Sequence, residues 1–409
     1  MPIVFMHGVN TRDPKHFQPV HEYLRRIVAP TITQDPDNVS IRAADWFQLC
    51  DPPKWGGISR PATLLGQGAE IERDELVDAI VAKIPSAPAP SSGFTSGQTS
   101  SPIQRARLDQ LSDDDLADLI TASVSSENVG GLQRARIGIA ADRVVHSPAI
   151  RTQLSAASDL QAQLKILSDA VQADVEQQSA LVGQGALDFL RGMRDRLTES
   201  LSRVIDSPGA ALSLSAGEVR PKLNDFVTRF LGDVLFYMTR RGTAAVPGPI
   251  PRVLMDELVR AQANKEARGG EPIVLLTHSM GGQIAYDVLT SFLPASQSHT
   301  KVDFWCATAS QVGFFEELNM FLASSSSFSK ATGKPTPVVR TNLDHWWNVW
   351  DRNDIISFTT KGIFASGIDD EDYWSGMSLA AAHGGYLERP SFYRRFAGKL
   401  KAVRSRGGH

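Results

Sequence analysis

Ile273-Val274-Leu275-Leu276-Thr277-His278-Ser279-Met280-Gly281-Gly282 is the stretch on which the fold turns. Its first four residues are apolar without alternation, as in a strand covered on both faces of a parallel sheet. Beyond the turn, Gln283 to Leu289 reads as a helix. A serine hydroxyl is a poor nucleophile unless it is held at such a strand-to-helix turn, beside a base and an anion site. The turn crowds the residues two before and two after the serine against neighbouring backbone, so both should be small. Gly281 meets that demand. Thr277 stands where glycine is usual, and it is still compact. The plain alternative is a Ser-Gly turn without chemistry; the strand before it and the helix after it weigh against that reading.

Working outward, Ile3 to Met6 is a second short apolar run, closed by His7-Gly8. Val20, Tyr23, Leu24 and Ile27 then repeat at helical spacing, and Val39 to Trp46 reads as a strand. That is one βαβ unit. The same rhythm returns late in the chain. Phe226, Phe230, Val234 and Tyr237 mark a helix, and Val253, Leu254 and Leu258 mark another. Val302 to Ala307 and Trp347 to Trp350 read as strands, and Ser391 to Val403 as a closing helix. An α/β core of a mostly parallel sheet flanked by helices is therefore expected from residues 1–60 and 216–409.

Residues 61–215 break the pattern. Ala87 to Pro102, rich in Pro, Ser and Gly, reads as a mobile loop. Ser112-Asp113-Asp114-Asp115 looks like an N-cap and acidic first turn ahead of Leu116, Leu119 and Ile120. Leu160, Leu164, Leu167, Val171 and Val175 form one apolar stripe, and Leu187, Leu190, Met193, Leu197 and Leu201 another. Such stripes pack helix on helix; the sharper expectation is that some of them form a cap or lid over a site.

With 42% hydrophobic and 21% charged residues, the chain has the balance of an ordinary globular protein. A formal net charge of −3 supplies no electrostatic footprint for nucleic acid. Cys50 and Cys306 are the two cysteines, so neither a disulfide framework nor a cysteine zinc site is expected. The opening residues lack a signal-peptide pattern, and no apolar run approaches the ~18 residues of a transmembrane helix. A cytoplasmic location is expected, with membrane contact limited to transient surface association.

His278-Ser279-Met280-Gly281-Gly282 resembles the nucleophile elbow of α/β-hydrolase lipases and esterases. Phe5-Met6-His7-Gly8-Val9-Asn10 resembles their oxyanion-loop strand. Within that superfamily the chain is most similar to lipase-like serine esterases that include the GPI inositol-deacylase type. The resemblance spans residues 1–60 and 220–400, leaves the helical insertion unexplained and does not fix the substrate. It implies an α/β-hydrolase fold with a large helical insertion. A tetrahedral intermediate needs two backbone N–H donors. One is that of Met280, at the start of the helix after the nucleophile, and the family pattern puts the other on Val9. Gly8 lets that backbone come close to a substrate. His7 and His278 are expected as supporting neighbours rather than as the base.

In this fold the triad runs serine, acid, histidine along the chain. Of the later histidines, His345 precedes the good acid candidates, His299 sits in a polar loop and His409 is terminal. His383, just before the closing helix, remains. Similar hydrolases carry the acid directly before an aliphatic pair, as in Asp354-Ile355-Ile356; Asp351 is the rival. Asp303 is expected to be a solvated strand end. Asp369, Asp370, Glu371 and Asp372 are expected to form a solvated loop, with metal binding there the less favoured reading. Trp346, Trp347, Trp350, Phe314, Phe315 and Phe321 are core by default, or line an acyl surface at the sheet edge.

The expected function is hydrolysis of carboxylic esters, lipid or acyl, through Ser279, His383 and Asp354 without organic cofactor or metal. The alternatives are a thioesterase or amidase with the same residues, or an interaction protein that has lost turnover.

Overall fold

Strand β1 (Pro2–Met6) is buried along its whole length, which a strand achieves only inside a sheet. It lies between β2 (Ser40–Ala43) and β3 (Val274–His278), parallel to both. Beyond β3 come β4 (Val302–Thr308), β5 (Leu343–Trp350) and β6 (Ile368–Asp372), again all parallel. The sheet order is β2-β1-β3-β4-β5-β6. From β1 the chain moves one way to β2 and later the other way through β3. The C-terminal ends of β1 and β3 therefore flank the switch point, where ligands enter open α/β sheets. The structure, a computed structural model, describes residues 2–9, 11, 15–50, 107–123, 130–178, 230–377 and 382–407.

Alternation along the strands sorts the side chains into two cores. Val4, Met6, Leu275, Trp305 and Trp346 face one side, where α6 (Pro249–Ala267) and α7 (Met280–Asp287) cover them with Ile250, Leu254, Leu258 and Ile284. Ile3, Phe5, Leu276, Cys306 and Trp347 face the other, under α1 (Phe17–Tyr23) and α9 (Pro390–Gly407). The chain is thus an α/β protein with a parallel six-stranded sheet, helices on both faces and a helical region between its strands. Among the described residues no helix is long and apolar enough to cross a membrane.

That helical region contains α2 (Asp113–Ala122), α3 (Gly131–Val145), α4 (Pro148–Ala156) and α5 (Leu160–Gln178). Ser112 caps α2 by accepting from the Asp115 N–H at 3.0 Å. The stripe Leu160 to Val175 is buried with Leu116, Leu119 and Ile137 in a core of its own. The stripe Leu187 to Leu201, the Ala87 to Pro102 segment, Phe226 and His409 lie outside the described residues; the rest of that late helix occupies residues 230–240.

One expectation is corrected. Asp369 to Asp372 belong to the edge strand β6, not to a solvated loop. Asp370 is buried and accepts from Asn348 Nδ2 at 3.1 Å, Trp350 Nε1 at 2.7 Å and Thr359 Oγ1 at 3.0 Å, and from the Thr360 N–H and hydroxyl. Its neighbours pair outward, Glu371 with Lys399 and Asp372 with Arg352. Five donors replace the water that a buried carboxylate loses. Asp303, near the start of β4, is half-buried and accepts from Lys265 Nζ at 2.7 Å and from the Ile273 N–H at 2.6 Å.

The helical region is joined to α9 by buried carboxyl groups. Asp118 of α2 accepts from the Ser391 hydroxyl at 2.6 Å and from the Ser391 N–H at 3.3 Å. Asp142 of α3 pairs with Arg394, whose Nε lies 2.7 Å from it. Burial pushes the Asp118 carboxyl up to about 7, against the pull of Arg389 and Ser391. Between the ordinary Asp value and 7 the folded chain holds a proton that the unfolded chain has released. Asp118 therefore costs stability as pH rises through that window. Asp118→Asn is expected to gain about 2–3 kcal/mol relative to the native protein between pH 5 and pH 8. Urea unfolding at the two pH values measures this; parallel pH profiles for the two proteins would refute it.

Candidate active site

β3 ends at His278, and α7 begins at Met280, so the whole change of direction falls on Ser279. Its φ of 52° and ψ of −128° lie where an L-residue pays about 1–3 kcal/mol. Hydrogen bonds hold it there, from its own N–H to the Thr308 carbonyl at 2.9 Å and from the Gly282 N–H to its carbonyl at 2.8 Å. A β-carbon on Gly281 would stand 2.5 Å from the Met6 carbonyl oxygen, so glycine is required on the far side of the turn. Thr277 fits on the near side because its hydroxyl is used: it accepts from Trp305 Nε1 at 2.9 Å.

His383, in the short helical turn α8 (Ala382–Gly385), brings Nε2 to 2.7 Å from Ser279 Oγ. Its Nδ1 lies 2.9 Å from Oδ2 and 3.1 Å from Oδ1 of Asp354. Ser279 and Asp354 are buried, whereas the His383 side chain keeps 14% of its surface. Asp354 also accepts from the Ile356 N–H at 3.1 Å and from the Tyr386 hydroxyl at 3.4 Å. A carboxylate so held fixes the imidazole with its proton on Nδ1 and its lone pair toward the serine. Asp351 does not join this chain. It accepts from the N–H groups of Asn353 at 2.9 Å and Ser375 at 2.6 Å and so caps the loop.

His278 donates from Nε2 to the His383 carbonyl at 2.6 Å. Burial, with the neighbouring His383 charge second, pushes its imidazole down to about 4. It stays neutral at ordinary pH and tethers the backbone of His383. His7 donates from Nδ1 to the Gly8 carbonyl at 2.7 Å, stacks on Trp46 with ring centroids 5.4 Å apart, and accepts Trp46 Nε1–H on its carbonyl at 2.9 Å. The loop shaped in this way presses Gly8 against the serine: a β-carbon there would be 2.5 Å from Ser279 Cβ. Val9 follows Gly8 in this loop, and Met280, the residue directly after the serine, is the first of α7. Trp346 and Trp347 are core residues, while Phe314 is part-exposed and stacks on Phe358.

Other residues of the neighbourhood carried no sequence signal. Gln311 donates from Nε2 to the carbonyls of Ala309 at 2.7 Å and Ile356 at 2.6 Å. It also accepts from Gln283 of α7. This buried amide pair ties the helix after Ser279 to the loop carrying Asp354. Beside the site is a cavity of about 240 Å³, lined among others by His7, His278 and Gly384 and by Gly131, Arg134 and Ala135 of α3. No protein-family model matches the chain, nor does any curated protein or solved structure.

Proposed function

We propose that the chain is a serine hydrolase of the α/β-hydrolase type, acting on carboxylic esters of lipid or acyl character. The observation that carries this reading is the unbroken hydrogen-bond chain Ser279–His383–Asp354 at a strained strand-to-helix turn. In the proposed mechanism His383 Nε2 takes the Ser279 proton as Oγ attacks the ester carbonyl. The oxyanion is met by the N–H groups of Met280 and Val9. His383 then gives its proton to the departing alcohol, leaving an acyl-enzyme. Water, deprotonated by His383, attacks that ester, and the carboxylic acid leaves as Ser279 regains its proton. Asp354 orients the ring and stabilises its charged form.

The test is labelling of intact protein by a fluorophosphonate probe. A Ser279-dependent adduct that is lost in Ser279→Ala is expected, together with release of chromophore from acyl esters. Absence of the adduct would favour an interaction protein without turnover. Preference for thioesters or amides in the same panel would move the substrate class and leave the mechanism.

Helix α3 shares the cavity beside the site, which supports reading the helical insertion as a cap that helps to select the acyl group. Ala135 is buried in that wall. Ala135→Phe is expected to cut hydrolysis of long acyl esters by about 10-fold relative to acetyl esters, since one or two methylenes of pocket carry that much discrimination. An unchanged chain-length ratio in a protein that melts normally would remove the cap reading.

A further inference from the structure

His7, His16 and Asp45 come from three elements, just after β1, just before α1 and just after β2. Their side chains nevertheless converge. Asp45 Oδ1 is 3.8 Å from His7 Nε2 and 3.5 Å from His16 Nε2, and the three atoms all lie within 4.8 Å of one another. These separations exceed a good N–H···O hydrogen bond of about 2.9 Å. They approach the spacing of ligand atoms that share one ion at about 2.0–2.2 Å. We propose that His7 Nε2, His16 Nε2 and Asp45 Oδ1 form a binding site for a divalent first-row transition metal, of which Zn²⁺ is the representative.

The chemistry of the donors sets the class. Two imidazoles and one carboxylate suit Zn²⁺ and its neighbours, whereas Mg²⁺ and Ca²⁺ take oxygen ligands. His7 is already oriented as a ligand: its Nδ1–H is given to the Gly8 carbonyl at 2.7 Å, which leaves the lone pair on Nε2. That lone pair accepts the buried Trp46 N–H at 3.2 Å, a hydrogen bond that the ion would have to replace. Entry is open from outside, because the Asp45 side chain keeps 42% of its surface and that of His16 16%. His7 and His16 also line the cavity beside His278, which leaves room for water as a further ligand. An ion here would clamp the loop carrying Gly8 and Val9 to β2 and to the start of α1. No short sequence motif announces the site, since its ligands meet only through the βαβ fold.

The experiment uses full-length Ser279→Ala protein, so that metal binding is read without any dependence on hydrolysis. After chelator treatment and dialysis, Zn²⁺ is titrated calorimetrically and Co²⁺ by visible absorption. The expected result is one Zn²⁺ per chain with Kd below about 10 µM and new Co²⁺ absorption bands. His16→Ala and Asp45→Asn should each weaken binding by about 10-fold to 100-fold. His345→Ala, which removes a different His–Asp pair whose atoms lie 3.3 Å apart, should bind as before. Circular dichroism confirms that each variant is folded. Binding weaker than about 10 µM, equal affinity in His16→Ala and Asp45→Asn, or preference for Mg²⁺ over Zn²⁺ would each overturn the proposal. Loss of fluorophosphonate labelling in the native protein would bear on the hydrolase reading and leave this one standing.

Discussion

Asp354→Asn is expected to lower ester turnover by on the order of 10⁴-fold while the protein melts as before. Asparagine keeps the shape of the side chain but can turn its NH₂ toward His383 Nδ1, favouring the tautomer whose proton faces Ser279. It also removes the negative charge that stabilises the imidazolium. The Ile356 N–H still has an oxygen to donate to, so the loop survives. Asp351→Asn should do the reverse. Asp351 accepts from two backbone N–H groups, one on each oxygen, and asparagine can serve only one of them. An unpaired buried N–H costs about 1–3 kcal/mol, so this variant should melt earlier and turn over nearly normally. Steady-state kinetics beside thermal melts separate the two. If Asp351→Asn is the slower enzyme and melts normally, Asp354 is not the acid.

The same pair shows what can be read from the chain alone. Ile273 to Leu276 and Ile3 to Met6 announce buried parallel strands through local composition, and both are central strands. The stripe from Leu160 to Val175 likewise states its buried face in its own spacing. Asp351 and Asp354 are different. Both follow β5 within one loop; the resemblance alone favoured Asp354, through the aliphatic pair after it, and what separates the two physically is the position of His383 in space. Asp369 to Asp372 mislead for a related reason. A strand is recognised by alternation of apolar and polar residues, and a run of carboxylates hides any alternation. The donors that bury Asp370, among them Asn348, Trp350 and Thr360, come from elsewhere in the chain. Tyr386 and Gln311 were silent because a lone polar residue has no period; its role is defined by what it touches. Local hydrophobic pattern thus carries the layers of the fold, whereas polar networks, which hold the candidate site, are properties of the assembled tertiary structure.

Gly8 offers the sharpest test of how closely the loop after β1 approaches the serine. A methyl group there would stand 2.5 Å from Ser279 Cβ, 3.0 Å from the His278 carbonyl oxygen and 3.1 Å from Ser279 Oγ. Two of these neighbours belong to the strained turn itself, so neither can yield without moving Oγ or its bond to His383. The alternative is that the loop withdraws and takes Val9 N–H with it. Either response displaces a reacting group by a substantial part of an ångström, and shifts of that size cost on the order of 10²-fold in rate. Gly8→Ala should therefore lose about 10²-fold or more in kcat, with substrate binding less affected. Gly384 supplies the control, because a β-carbon there would meet nothing within 4 Å although the residue adjoins His383. Gly384→Ala should stay within about twofold of the native rate, as open glycine positions in helical turns accept alanine. Both variants are compared by kcat and by melting temperature. Near-native turnover in Gly8→Ala would mean that the loop does not act on the reacting ester, and the donor assigned to Val9 would have to be sought elsewhere.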